Sequence, residues 1–118
     1  MSAPLLRFEL AEEAARLRAE SEFLEGDRNA RTLTKARSFR VVLVAFRAGA
    51  MFDENDQRGS VALHLLDGRL SMRVGGAGIE LGPGELAVVS AEQPWVARAM
   101  TDGLVLLHVA WPPEAASV

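Results

Sequence analysis

The chain has 118 residues, of which 49% are apolar and none is cysteine, so it can bury the core of one domain without disulfides. The absence of cysteine excludes thiolate metal sites and cysteine nucleophiles. Its 13 basic and 16 acidic residues give a net charge of −3, which does not favour binding to the phosphates of nucleic acids.

The N-terminal stretch MSAPLLRFELAEEAARL has a short apolar run followed by acidic residues. A secretory signal has a basic start and a longer apolar core, and a transmembrane helix needs about 20 apolar residues. The sequence therefore predicts neither a signal peptide nor a membrane partner. With the lack of cysteine, it predicts a cytoplasmic location.

One amphipathic helix is predicted within residues 1–28. Its apolar positions recur at the three-four spacing of a helix: Leu10, Ala14, Leu17, Ser21 and Leu24. Gly26 follows as a stop signal. Because the stripe is narrow, we expect the helix to pack on the outer face of a sheet or on a second subunit.

The rest of the chain, residues 29–118, predicts short β-strands separated by Gly, Pro and Asp. The predicted strands are 30–36, 39–47, 60–66, 69–74, 79–81, 86–90, 95–100 and 104–110. Asp67-Gly68 and Gly75-Gly76 are typical of hairpin turns. Eight short strands at this spacing predict an all-β protein, a two-sheet antiparallel sandwich or barrel.

Two of these strands, 39–47 and 104–110, are apolar on both faces. Their outward faces need cover, and one helix is too small to provide all of it. Apolar patches of that size are uncommon on soluble monomers. The pattern therefore predicts a homodimer.

The glycine-bounded segments LHLLDGRLSMRV and ELGPGELAVVS, with QPW after them, resemble the two sequence motifs of the cupin superfamily. The resemblance covers about 70 residues, from roughly 39 to 111, and implies a jelly-roll barrel. In the first motif the spacing from Gly49 to Gly68 is kept. In the second, Gly84 leads to Trp95 and then Ala99.

The same resemblance implies a metal held by three histidines and a glutamate, and here all four ligand positions differ. The matching residues are Asn55, Gln57, Val61 and Trp95. Amides are weak ligands, and Val and Trp cannot bind a metal. We therefore predict a protein without the cupin metal or any other cofactor.

A calcium loop is an alternative at the same place, because Asp53, Asn55 and Gln57 alternate like its oxygen ligands. The sharp-turn position carries Arg58 instead of glycine, and the twelfth position is His64 instead of glutamate. The preferred interpretation is a solvated acidic loop at the mouth of the barrel.

The two histidines, His64 and His108, give a weak alternative metal site. If Val61 faces the interior, strand alternation points His64 outward. The cupin strand order implies that the strands of His64 and His108 pair, so that the imidazoles lie near each other. Structural histidines at a dimer interface are the preferred interpretation over metal ligands or catalytic groups.

The sequence lacks the residues that other catalytic mechanisms require. The metal-free sugar epimerases that resemble cupins use a histidine base and a tyrosine acid, and this chain has no tyrosine. No serine lies in a nucleophile elbow, and Gly75-Gly-Ala-Gly78 lacks the Lys-Ser/Thr of a phosphate loop. No catalytic residue is therefore predicted.

A mostly apolar barrel interior with a few polar groups is typical of small-molecule sites. The candidate ligand-binding residues are Asn55, Gln57, Val61, Leu63, Met72, Trp95 and Ala97, with Met51 or Phe52 toward the mouth. The alternative is that Trp95 fills the space and the barrel is solid core.

Together these observations predict a metal-free, non-catalytic cupin that binds or senses a small, mostly apolar molecule as a homodimer. Two alternatives stay open: a metal-dependent oxygenase or isomerase with a displaced site built around the histidines, and a purely structural or partner-binding dimer.

Overall fold

A computed structural model describes residues 4–53, 59–91 and 93–110. The helices are α1 (Leu10–Ala19) and α2 (Ser21–Glu25), and the strands are β1 (Arg28–Lys35), β2 (Phe39–Phe46), β3 (Met51–Asp53), β4 (Ser60–Asp67), β5 (Leu70–Val74), β6 (Ala77–Leu81), β7 (Leu86–Val89), β8 (Trp95–Ala99) and β9 (Gly103–Ala110). Within these ranges, neither helix has the length and apolar character needed to span a bilayer.

The strands form two antiparallel sheets that face each other. The five-stranded sheet has the order β1-β2-β9-β4-β7, and the four-stranded sheet has the order β3-β8-β5-β6. Because β4 leaves one sheet and β5 enters the other, the chain crosses between the sheets repeatedly, as in a jelly roll. The predicted all-β, two-sheet architecture is confirmed.

The main core lies between the sheets and follows from strand alternation. On β4, Val61, Leu63 and Leu65 are buried and face the four-stranded sheet. Phe46 of β2 meets Phe52 of β3 edge to face, with ring centroids 5.8 Å apart, which joins the two sheets near one end of the barrel.

The prediction of a single helix is wrong in one respect, because the helix is interrupted at Glu20 and continues as α2. The backbone there is extended, with ψ 156°, and Asn29 donates hydrogen bonds to Leu17 O at 3.0 Å and to Glu20 Oε1 at 2.8 Å. The break turns α2 so that Phe23 is buried while Leu24 is exposed.

Two further predictions need correction. The three-residue strand β3 was missed, because it is too short for alternation to reveal. The Asp67-Gly68 pair does not close a hairpin: β4 and β5 belong to different sheets, and Gly68, with φ +94°, turns the chain from one to the other. Gly75-Gly76 does connect the paired strands β5 and β6, as predicted.

The outer faces of the two sheets differ in character. Helix α1 buries Ala14 and Leu17 against Leu43, Ala45 and Leu104 on the outer face of the five-stranded sheet. It covers that face only in part. The outer face of the four-stranded sheet instead carries charge, since Arg98 and Glu80 flank Ser71 in one cross-strand row.

Candidate ligand site at the barrel mouth

The predicted interior residues lie on three strands and are all buried. They are Val61 and Leu63 on β4, Met72 on β5, and Trp95 and Ala97 on β8, and none is more than 4% exposed. They belong to one continuous core cluster. Asn55 and Gln57 lie outside the described residues. Whether any of these side chains contacts a ligand stays a prediction.

Two of the four positions that carry metal ligands in the cupin motifs are described, and both are core positions. Val61 is 1% exposed and Trp95 is 4% exposed, and each lies among aliphatic and aromatic side chains. Neither side chain has an atom that binds a divalent cation. The described half of the motif therefore does not fit the metal that the resemblance implies.

An open depression of about 420 Å³ lies beside Trp95, at the end of the four-stranded sheet. Its lining residues are Asp53, Arg73, Gly75, Pro94, Trp95 and Val96. The strand register explains why they meet: Asp53 of β3 is opposite Val96 of β8, which is opposite Arg73 of β5. The carboxylate of Asp53 and the guanidinium of Arg73 thus lie on either side of the apolar Val96.

The position of Trp95 connects this depression with the core. It is opposite Val74 at the last pair of the β5–β8 ladder, and its side chain is buried in the core while Val96 and Arg73 point by alternation to the outer face. Trp95 is also one of the residues that line the depression. Such a wall of Trp, Pro and Val with a few polar groups at its edge is typical of a small-molecule site.

Sequence reasoning found Trp95 but missed Arg73, Pro94 and Val96. Arg73 lies 20 or more residues from both Asp53 and Trp95 along the chain, and only the register of three strands brings them into one row. The sequence pattern assigns Asp53 to the loop at the mouth of the barrel. Knowledge that β3 pairs with β8 would have allowed the residues around the depression to be grouped.

The two histidines lie on the other sheet and face outward. Val61 is buried inside, which confirms by alternation that His64 points away from the core. In the β4–β9 ladder Ala62 is opposite His108, and His64 is opposite Leu106. His64 and His108 are therefore diagonal neighbours on one face, which places them roughly 7–8 Å apart. The predicted proximity is confirmed.

Burial lowers the pKa of His108 from its ordinary value of 6.5, and the nearby His64 imidazole lowers it further. Both effects disfavour the charged imidazolium. Within residues 4–53, 59–91 and 93–110, no three His, Asp or Glu side chains form a group that could hold a metal ion. Among the described residues, His64 and His108 are thus a pair of histidines on the outer face of the five-stranded sheet, without a third side chain that could complete a metal site.

Two carboxylates near the ends of strands have structural partners. Glu85 accepts a hydrogen bond of 2.6 Å from the backbone N–H of Gly82, which closes the turn between β6 and β7. Asp67 lies 3.9 Å from Arg18 of α1, so its carboxylate ties the helix to the sheet. Neither carboxylate lines the depression described above.

Solved structures with the same architecture identify the fold. A cupin superfamily protein from Desulfitobacterium hafniense DCB-2 is 16% identical, with a TM-score of 0.73 over 92% of this chain and 94% of that chain. The cupin domain of an XRE family transcriptional regulator from Enterobacter cloacae is 14% identical, with a TM-score of 0.61 over 73% and 98%. The chain has the cupin fold.

A third cupin structure, a salicylate 1,2-dioxygenase from Pseudaminobacter salicylatoxidans, is 19% identical, with a TM-score of 0.67 over 82% of this chain and 32% of that chain. The similar structures thus include an enzyme and a regulator, and a shared cupin fold does not decide between such roles. Neither a protein-family model nor a curated protein matches the sequence.

Proposed function

We propose that this cupin is a metal-free, non-catalytic binding module that accepts a small molecule at the barrel mouth and acts as a homodimer. The observation that carries the proposal is the position of Trp95. Trp95 occupies a ligand position of the cupin motif as a buried core residue, and the same residue belongs to the lining of the depression of about 420 Å³. A side chain without a metal-binding atom thus stands at the ligand position beside the depression.

The size and lining of the depression support a particular class of ligand. Small-molecule sites commonly have volumes of about 300–1,000 Å³ and apolar walls with a few polar groups. Trp95, Pro94 and Val96 would contact an apolar body, and Arg73 would donate hydrogen bonds to a carboxylate or hydroxyl oxygen. The expected ligand is a compact molecule with an apolar body and one polar end.

The proposal predicts ligand binding that depends on Arg73. In a screen of small aromatic and aliphatic carboxylates and alcohols, we expect a compound that raises the melting temperature, since binding to the native state at 100 times Kd adds about 2.7 kcal/mol. Quenching of Trp95 fluorescence measures the same event directly. The substitution Trp111→Phe leaves Trp95 as the single reporter, because the chain has two tryptophans.

The matched control for Arg73→Leu is Arg98→Leu. Both arginines are exposed on the four-stranded sheet, but only Arg73 lines the depression. We expect Arg73→Leu to weaken binding at least tenfold and Arg98→Leu to leave it within twofold. Equal effects of the two substitutions, or no binding by any compound of the screen, would contradict a site at the mouth.

The second candidate is a metal-dependent enzyme with a displaced site, and the proximity of His64 and His108 is the observation that favours it. Two imidazoles on neighbouring strands can share a Zn²⁺ ion, but a catalytic centre commonly uses three protein ligands. We expect protein purified without a histidine tag to contain far less than one metal ion per chain. Stoichiometric metal that is lost in His64→Ala would favour the enzyme instead.

A further inference from the structure

Three arginines surround one serine on the outer face of the four-stranded sheet. We call this group the arginine cluster, and its members are Arg69, Ser71, Arg73 and Arg98. Alternation along β5 places the first three on this face, because the two residues between them are buried in the core. Arg98 of β8 is the direct cross-strand neighbour of Ser71. The serine is therefore bordered by arginines along its own strand and across to the next.

The spacings of the sheet allow these side chains to meet above Ser71. Residues two apart on a strand are separated by about 6.6 Å. Diagonal neighbours on paired strands are about 7–8 Å apart, a distance that long side chains span. Arg98 is diagonal to both Arg69 and Arg73. An anion above the serine is thus within reach of more than one guanidinium group.

Two of the three guanidinium groups keep their full charge. Arg69 Nη2 lies 3.7 Å from Glu80 Oε1. In the part of the chain that the structure describes, no ion pair or side-chain hydrogen bond involves Arg73 or Arg98, and both side chains are exposed. The positive charges of Arg73 and Arg98 are therefore not neutralised by described residues.

An open depression of about 400 Å³ lies over this part of the sheet. Its lining includes Ser71, Arg73, Gly78 and Glu80. Gly78 is opposite Arg73 on β6, and a Cβ atom at Gly78 would lie 3.9 Å from Arg73 Nη1. The guanidinium group of Arg73 thus reaches over a residue without a side chain. The volume is in the range of about 300–1,000 Å³ that is common for small-molecule sites.

Two acidic side chains flank the cluster. Glu80 is opposite Ser71 on β6, and its carboxylate faces Arg69. Asp53 lies two strands away from Arg73 in one cross-strand row. Three arginines therefore face two acids here, in a chain whose net charge is −3. This local excess of positive charge favours an anion over a cation.

We propose that the arginine cluster binds a doubly charged oxyanion, either free phosphate or the phosphate group of a small molecule. Planar guanidinium groups bind phosphate oxygens through pairs of parallel hydrogen bonds, which Arg73 and Arg98 supply. The hydroxyl of Ser71 donates a further hydrogen bond. Glu80 holds Arg69 beside the site. This site lies on the sheet face and is additional to the ligand site at the barrel mouth.

Titration with sodium phosphate at pH 8 tests the site directly, with ¹H–¹⁵N NMR spectra recorded at constant ionic strength. We expect saturable shifts of the backbone amide signals of Ser71, Gly78 and Arg98. Sodium chloride should not reproduce them, because screening by salt affects all exposed charges alike. Absence of shifts at the cluster, or shifts spread evenly over the exposed arginines of both sheets, would overturn the proposal.

The decisive substitution is Arg98→Leu, with Arg37→Leu as its matched control. Each removes one exposed arginine and changes the net charge equally, but Arg37 lies in the connection between β1 and β2 of the other sheet. We expect Arg98→Leu to raise the phosphate Kd at least about tenfold, since hydrogen bonds to charged groups are the stronger ones. Arg37→Leu should leave the Kd within about twofold. Equal effects of the two substitutions would contradict the assignment.

The substitution Glu80→Gln gives a result that loss of folding cannot imitate. It removes a negative charge beside the site and releases Arg69 from its ion pair. We therefore expect the phosphate Kd to fall by about threefold or more, because two charges about 4 Å apart still interact in water. An unchanged or higher Kd would contradict an anion held next to Glu80.

The source of the anion is distinguished by comparing inorganic phosphate with glycerol 3-phosphate. Tighter binding of the ester, with shifts that extend along β6, supports a phosphorylated small molecule. Equal or weaker binding of the ester supports free phosphate. A failure of either compound to bind overturns the site.

These measurements are independent of the ligand site at the barrel mouth. Arg73 lines both depressions, so it is left unchanged in these experiments, whereas Arg98 does not line the depression at the mouth. Binding at the mouth is measured through Trp95 fluorescence. Loss of phosphate binding in Arg98→Leu with an unchanged Trp95 response supports two separate sites, and loss of both responses would contradict their separation.

Discussion

Replacement of Val61 by glutamate is expected to lower the free energy of unfolding by about 3–5 kcal/mol, a large share of the total stability of about 5–15 kcal/mol that domains have. The resemblance to cupins places a metal-binding glutamate at this position. Here Val61 is 1% exposed in an aliphatic cluster, so Val61→Glu would bury a carboxylate without a cation or hydrogen-bond donor. Urea denaturation at pH 7 measures the loss.

The pH dependence of Val61→Glu identifies its cause. Burial raises the pKa of the new carboxyl group above its value in the unfolded chain. The folded state then binds more protons, and the deficit relative to the unmodified protein shrinks as the pH falls from 7 to 5. A deficit that is the same at both pH values would contradict an uncompensated buried charge.

The control for this substitution is Leu24→Glu on α2. Leu24 is 60% exposed, so the same new carboxylate stays in water and should cost less than about 0.5 kcal/mol. If Val61→Glu were as mild as Leu24→Glu, the motif position would still be able to accept a charged ligand group, and the metal-free proposal would be contradicted.

The fold could be predicted from the sequence because its largest elements have local patterns. Strands β2, β4 and β9 combine apolar runs with turn residues at their ends, and the cupin motif spacing agrees with them. Strand β3 and the break at Glu20 could not be predicted, since both depend on tertiary contacts. A three-residue strand has no periodicity, and the extended Glu20 is held through Asn29 of a later strand.

The site was predicted only in part, for a similar reason. Motif spacing identifies Trp95 and Val61 without any knowledge of pairing, and alternation then assigns His64 to the outer face. Arg73 and Val96 belong to the depression through register alone, because Val96 is opposite Arg73 and Asp53 on two different strands. Cross-strand rows combine residues that a single chain pattern cannot relate.

The second large loss of stability is expected at Gly103, where β9 begins beside β2 and β4. Gly103→Ala is expected to destabilise the fold by about 3 kcal/mol. Gly103 begins β9 opposite Phe46. A Cβ atom there would lie 2.2 Å from the carbonyl oxygen of Asp67 and 2.6 Å from Phe46 Cζ. The carbonyl belongs to the backbone of β4 and the ring to the core, so neither can move away cheaply.

Helix α1 adds to the loss of stability that a shift of β9 would cause, because Arg18 donates a hydrogen bond of 3.4 Å to the carbonyl oxygen of Gly103. A shift of β9 that relieved the new methyl group would loosen the contact between α1 and the sheet. Gly76→Ala is the control: a Cβ atom at Gly76 would have nothing within 4 Å, and its stability should change by less than about 0.5 kcal/mol. Equal melting temperatures for the two variants would show that β9 can move at Gly103. Close packing of β2, β4 and β9 would then be ruled out as the cause of the register of the five-stranded sheet.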